Sequence, residues 1–128
     1  MVKIDIKPLS VNKAWQGRRF KTQEYKQYCK DVASLLTAIK LPEPPYELNL
    51  EFGFSSKASD LDNPVKLFQD IISTKYKFND KLIYRLVVEK KIVEKGQEYI
   101  IFEIKSLWNN HLQGLYSGFY VQAWFTWY

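Results

Sequence analysis

Two aspartates two residues apart, Asp60 and Asp62, followed by Asn63, Pro64 and Lys66 in the stretch SDLDNPVK, are the part of this chain best suited to chemistry. A third, Asp80, follows in KFNDKLIY. In an extended segment residues two apart point the same way, so Asp60 and Asp62 are expected to present both carboxylates to one point while Leu61 turns into the core. Two bare charges about 4 Å apart repel by about 4 kcal/mol at an effective dielectric of about 20. A hard divalent cation such as Mg²⁺ removes that repulsion, takes oxygen ligands and keeps waters that can attack a phosphate. Lys66 would then supply positive charge to the phosphate or orient the water, and Asp80 would bring a third ligand from the end of a strand. Asp70, four residues after Lys66, shares its helix face and can support it. The plainer alternative is that Asp62 or Asn63 only caps a helix whose first residue is Pro64. Capping leaves Asp60 without a purpose.

The elements that must position these residues are visible as periodicities. VKIDIK alternates Val2, Ile4 and Ile6 with charged residues, the two-residue period of a half-buried strand. PLSVNKAWQGRRFKT breaks that period, carries no acid and reads as a basic loop. From Thr22, a fitting N-cap, Tyr25, Tyr28, Cys29, Val32, Leu35, Leu36 and Ile39 follow helical spacing up to a stop at Pro42. ELNLEFGF alternates Leu48, Leu50, Phe52 and Phe54 as a second strand. NPVKLFQDIISTKY then gives a second helix, with Asn63 as cap and Val65, Phe68, Ile71 and Ile72 as its stripe. KLIYRLVVEKKIVE and QEYIIFEIK read as two strands joined at KGQ in an antiparallel hairpin. The order strand, helix, strand, helix, strand, strand predicts an α+β domain. Its mixed or antiparallel sheet of about four strands carries two helices packed on it. Residues 1–105 form that domain. Residues 106–128 stand apart as a tail in which eight of 23 residues are aromatic and none is charged.

The chain has 128 residues, enough for one core without staples, and a net charge of +5 with 19 Lys and Arg against 14 Asp and Glu. Basic balance favours a polyanionic partner, with nucleic acid first. Lys13, Arg18, Arg19 and Lys21, interleaved with Trp15 and Phe20, are the candidates for backbone contacts and for stacking on exposed bases. One cysteine, Cys29, excludes an internal disulfide and a cysteine zinc cage, which fits a reducing, cytoplasmic setting. One histidine, His111, excludes triads and histidine-held zinc. No stretch has the apolar length of a signal peptide or a confident membrane span, so no membrane is expected, and with DNA as the expected partner no small-molecule substrate is expected either.

Taken together, SDLDNPVKLFQD and FNDKLIYRLVVEKK resemble the RusA family of Holliday junction resolvases, crossover-junction endodeoxyribonucleases common in phages and prophages. The opening segment KPLSVNKAWQGRRFKTQEYKQYCKDV is similar to that family as well, so the resemblance runs from about residue 1 to 105. It implies a magnesium-dependent site, Mn²⁺ substituting, with Asp60, Asp62 and Asp80 as ligands and Lys66 as the catalytic lysine. It also implies a homodimer that nicks opposite strands of a four-way DNA junction in recombination and repair. Asn79 stands where some members carry a second acid.

Two rival readings use other residues. Asp80 with Glu89 and Lys91 could form a restriction-type Asp, Glu-x-Lys site, which leaves Asp60 and Asp62 unexplained. From a different class, the chain could be a non-catalytic DNA-binding or assembly protein, its carboxylates only capping and its aromatic tail making the partner contact.

Overall fold

The computed structural model describes residues 1–16 and 20–107. In chain order the elements are strand β1 (Val2–Ile4), short strands β2 (Trp15–Gln16) and β3 (Phe20–Lys21), helix α1 (Gln23–Leu35), strand β4 (Tyr46–Phe54), helix α2 (Val65–Lys75), and strands β5 (Ile83–Ile92) and β6 (Tyr99–Ser106). This is the expected α+β order, with a four-stranded mixed sheet and a separate two-stranded one. Most of the predicted aromatic tail, together with Arg18 and Arg19, lies outside the described residues.

The strand pairing departs from the predicted hairpin. The sheet order is β1-β6-β4-β5, so β5 pairs with β4 in parallel while β6 pairs antiparallel with both β4 and β1. Gly96, at φ 92°, does sit in a turn, but that turn carries the chain across the end of β4. Val93 N–H donates to Phe54 C=O there at 2.8 Å. Two strand spacings are only about 10 Å, which a six-residue connection spans easily. A glycine turn between two β-runs therefore fits a neighbour or a next-but-one strand equally well.

Strand β4 is central, and its alternation sorts the two faces of the sheet. Leu48, Leu50 and Phe52 are buried against α1 and α2, joining Val32, Phe68, Ile72, Ile100 and Phe102 in one core. Phe68 meets Phe52 and Phe102 edge-on, with ring centroids 6.4 and 5.5 Å apart. The alternate residues build a polar face, where Arg85 pairs with Glu47 at 3.3 Å and Lys105 with Glu103 at 3.3 Å.

Thr22 caps α1 as its position predicts, its hydroxyl accepting from Tyr25 N–H at 3.1 Å. Tyr25, Tyr28 and Val32 then face the core. The helix ends before the predicted stop: Leu36 turns to extended backbone and keeps its own side chain buried, while Leu35 is left 43% exposed. Cys29 is half-buried at the edge of this stripe, and burial pushes its thiol up. Helix α2 begins differently from prediction. Its N-cap is Pro64, with no side-chain cap hydrogen bond, so neither Asp62 nor Asn63 caps it. At the other end Lys77 adopts φ 57° and Phe78 N–H returns to Ser73 C=O at 3.0 Å, the left-handed stop that closes helices. No helix among the described residues is long and apolar enough to cross a membrane.

Candidate active site

The stretch that holds Asp60 and Asp62 links β4 to α2, and it is a succession of turns and bends rather than a strand. Alternation therefore does not apply to it. Leu61 is 37% exposed instead of entering the core, and the two carboxylates border different hollows. Asp60 lies on a groove of about 740 Å³ between the segment around Leu9, helix α1 and the end of β4. Asp62 lies on a smaller cleft of about 320 Å³ with Leu61, Val65, Lys66, Leu86 and Val88. Asn63, freed from capping, donates from its amide to Asp60 Oδ2 at 3.4 Å. Asp62 has no side-chain hydrogen bond or ion pair among the described residues.

Lys66 joins this stretch to the third aspartate. It projects from the first turn of α2, and its ammonium lies 2.9 Å from Asp70 Oδ1 and 3.2 Å from Asp80 Oδ2. Asp80 opens the short 3-10 turn that leads into β5, itself capped by the Asn79 side chain on Lys81 N–H at 2.9 Å. The two ends of the crossover that contains α2 are thus brought together. Its hydrogen bonds to Asp70 and then Asp80 hold the Lys66 ammonium above its ordinary range. The same ammonium, aided by Gln69, holds the Asp80 carboxyl below its own. Lys66 is accordingly a fixed positive charge at neutral pH.

The basic segment expected to be a loop is partly a ribbon. Strands β2 and β3 pair antiparallel, Trp15 opposite Lys21 and Gln16 opposite Phe20. Trp15 sets its ring edge on Tyr25 of α1, with centroids 5.5 Å apart, and Lys21 places its ammonium 5.1 Å above the same ring. Tyr25 is buried within the electrostatic reach of Asp70 and Lys66. At the base of the ribbon, Val11 N–H donates to Asn63 C=O at 3.2 Å. Lys13, Trp15 and Lys21 are therefore gathered beside the acidic stretch. Lys57, Lys75, Lys77 and Lys81 are exposed, Lys57 just ahead of the acidic stretch and Lys75 and Lys77 at the far end of α2.

Lys90 is a contributor that sequence reasoning passed over. From the edge strand β5 it donates to Lys57 C=O at 3.0 Å and to Ser59 C=O, with the Phe54 ring 6.0 Å away. It fastens the backbone just ahead of Asp60. Its only signal in sequence was a lysine in register with Val88 and Leu86 on a face otherwise apolar. Glu89 and Lys91 occupy the alternate positions of β5, opposite Glu51 and Gly53, and so belong to the polar face. Asp80 takes Lys66 as partner, not Lys91.

The donor set suits a hard divalent ion: three carboxylates, two of them exposed and free of any capping duty, with no soft ligand nearby. As the side chains stand, no group of three or more His, Cys, Asp or Glu among the described residues is drawn close enough to hold one. Asp60, Asp62 and Asp80 would have to draw together to hold one. No curated relative matches the chain. The family model of the endodeoxyribonuclease RusA matches residues 7–103 of the 128. That span includes the ribbon, both helices, the acidic stretch and the Lys66 to Asp80 contact. With well over half of its length matched, and with the DLDN stretch, its lysine and the later aspartate all inside the match, the chain belongs to the RusA family of endodeoxyribonucleases.

Proposed function

We propose that this protein is a Mg²⁺-dependent, structure-selective endodeoxyribonuclease that resolves four-way DNA junctions by paired nicks, acting as a homodimer in the bacterial cytoplasm during recombination and repair. The observation that carries the reading is the contact between Lys66 and Asp80 beside the cleft that Asp62 borders, in a chain of this family. Asp60, Asp62 and Asp80 would hold the ion, with Mn²⁺ as a substitute. When bound, that ion supplies Lewis-acid charge at the phosphate and lowers the pKa of attacking water.

The chain's own residues do the rest. Lys66 enters as an ammonium already charged, so it offers positive charge to the phosphate oxygens as negative charge builds on them, rather than taking up a proton. Asp70, one helical turn from Lys66, keeps the ammonium aimed. Leu61, Val65, Leu86 and Val88 give the cleft beside these charges an apolar lining. Lys13 and Lys21 would grip the sugar-phosphate backbone beside it, with Trp15 near Lys21 on the ribbon, and Arg18 and Arg19 are candidates for the same role by their charge.

The test compares wild type, Asp62→Asn and Glu89→Gln on a four-way junction, a linear duplex and single strands, with Mg²⁺ and with EDTA. Wild type and Glu89→Gln should cut the junction in Mg²⁺ alone, and Asp62→Asn should lose at least about 100-fold in rate. Equal cutting by wild type and Asp62→Asn, or no cutting by any of them, overturns the proposal. Loss of activity in Glu89→Gln would transfer it to the Asp80, Glu89, Lys91 set. Junction binding without cutting would favour a non-catalytic DNA-binding protein.

A further inference from the structure

We propose that Phe20 is a wedge that enters the base stack at the branch point of the junction and holds it open in front of the acidic stretch. This rests on the junction-cutting reading above. Phe20 is 70% exposed, while Trp15, the other aromatic of the ribbon, is 42% exposed and has its ring set against Tyr25. Its phenyl group is therefore free to meet a ligand, whereas the Trp15 ring is already occupied.

Its support is rigid. An isolated two-stranded ribbon is marginal, but this one is fastened at several points. Thr22 N–H donates to Ala14 C=O at 2.9 Å and the Thr22 hydroxyl to Lys13 C=O at 2.6 Å, so the residues just after Phe20 are tied to those just before Trp15. Thr22 is also the cap of α1. Ala14, at the foot of the ribbon, is fully buried. The backbone that carries the ring is therefore held in place before any ligand arrives.

Its position is defined by two contacts already described. Val11 N–H on Asn63 C=O joins the ribbon's base to the acidic stretch, and Trp15 rests on the tyrosine that faces Asp70 and Lys66. Fully extended, the chain from Val11 to Phe20 reaches at most about 30 Å, and the fold back at the ribbon shortens that. Phe20 thus sits on the ribbon whose base is tied to the acidic stretch, with Lys21 next to it and Lys13 at the ribbon's foot available to the backbone.

The side chain's chemistry selects the occupant. Phenylalanine has no hydrogen-bond donor or acceptor, so it cannot read a base edge, but it can lie in a stack, as apolar wedges do when they part base steps. Parting bases costs least where pairing is already interrupted. A branch point offers that interruption and a continuous duplex does not. Phe20 would accordingly contribute selectivity for branched DNA over linear DNA without contributing sequence preference.

The experiment uses the full chain in EDTA, so that binding is seen without cleavage, and four-way junctions carrying 2-aminopurine either at the branch point or within an arm. Wild type should raise the fluorescence at the branch point and leave the arm unchanged. Phe20→Ala should bind the junction within about tenfold of wild type and lose the rise. Phe20→Leu, still an apolar wedge, should restore most of it. A rise retained in Phe20→Ala, or an equal rise in the arm, overturns the proposal. So does a change of oligomeric state in Phe20→Ala by light scattering with the rise intact, which assigns the ring to a protein contact. Wild-type preference for the junction with no rise removes the wedge alone. Absence of any preference for the junction removes the resolvase reading and the wedge together.

Discussion

The Lys66 ammonium bridges two carboxylates from different elements, Asp70 Oδ1 at 2.9 Å within its own helix and Asp80 Oδ2 at 3.2 Å at the foot of β5. The hydrogen bond from Lys66 is what chiefly holds the Asp80 carboxyl down, and the bonds Lys66 donates to Asp70 and Asp80 are what chiefly hold its ammonium up.

In metal-free protein, Lys66→Met should therefore let Asp80 titrate nearer the ordinary carboxylate range, which carboxyl-detected NMR measures directly. The stability consequence has a definite window. A carboxyl whose folded pKa is depressed contributes fully above its unfolded pKa, and the contribution is lost as pH falls through the folded value. A lysine whose folded pKa is raised contributes fully below its unfolded pKa and loses it as pH rises through the folded value. Urea melts should show the largest gap between wild type and Lys66→Met between those limits, with the two curves converging in strong acid and in strong alkali. The pair is largely exposed, so added salt should narrow the gap. An Asp80 midpoint that ignores Lys66→Met contradicts the assignment.

Lys90 supports a prediction about the approach to Asp60. Its ammonium holds the carbonyls of Lys57 and Ser59, and Lys90→Met leaves both without that donor. The variant should lose about 1–3 kcal/mol of stability, and amides of residues 56–60 should exchange faster. Because Lys90 only positions the neighbouring carboxylate, Mg²⁺ affinity should fall by about 10- to 100-fold while kcat at saturating metal changes little. Calorimetric titration with Mg²⁺ checks the first, and a metal titration of junction cleavage the second. Unchanged exchange at residues 56–60 would show that Lys90 does not order the stretch.

Local chemistry was legible in the sequence wherever short-range rules decide the outcome. The Thr22 cap, the stripe Tyr25, Tyr28 and Val32, and the alternation Leu48, Leu50, Phe52 all depend on residues a few positions apart, and all stand as read. The neighbourhood of Lys66 and Asp80 was partly legible, because a lysine in the first turn of a helix and an aspartate before the returning strand meet whenever the crossover closes. Most of what failed was non-local, though the reading of the acidic stretch failed on local grounds. Whether β6 lies beside β5 or beyond β4 depends on which edges pair, and the glycine turn at Gly96 serves either. Asp60 and Asp62 were assigned the two-residue period of a strand, but serine, proline and asparagine around them favour turns, and turns carry no such period. The ribbon of β2 and β3 was hidden because its strands are two residues long and owe their order to Thr22 and Tyr25 rather than to a pattern of their own. Lys90 was hidden because its partners are backbone carbonyls, to which sequence gives no sign.

Gly53 tests how closely the central strand is matched to its neighbour. It lies opposite Tyr99 in the antiparallel pairing of β4 with β6, and the Tyr99 ring covers it. A Cβ at residue 53 would stand 2.6 Å from both Tyr99 Cδ1 and Cε1, closer than any real contact. The ring cannot swing aside freely, because the Tyr99 hydroxyl donates to Glu51 and Lys3 places its ammonium 4.8 Å over the ring face. Gly53→Ala should thus displace the ring, break the bond to Glu51 and destabilise the protein by about 1–3 kcal/mol. Removing the ring should relieve most of that cost, so Gly53→Ala with Tyr99→Ala should be markedly less destabilised than the sum of the single variants in a double-mutant cycle. A second readout follows from the same contact. Burial, and then the hydrogen bond to Glu51, push the Tyr99 hydroxyl up to about 12. In Gly53→Ala that hydroxyl should ionise at lower pH, toward the ordinary tyrosine range, and difference ultraviolet titration against Tyr99→Phe isolates it. Additive single-variant costs with an unmoved Tyr99 titration would mean that the ring does not rest on the glycine.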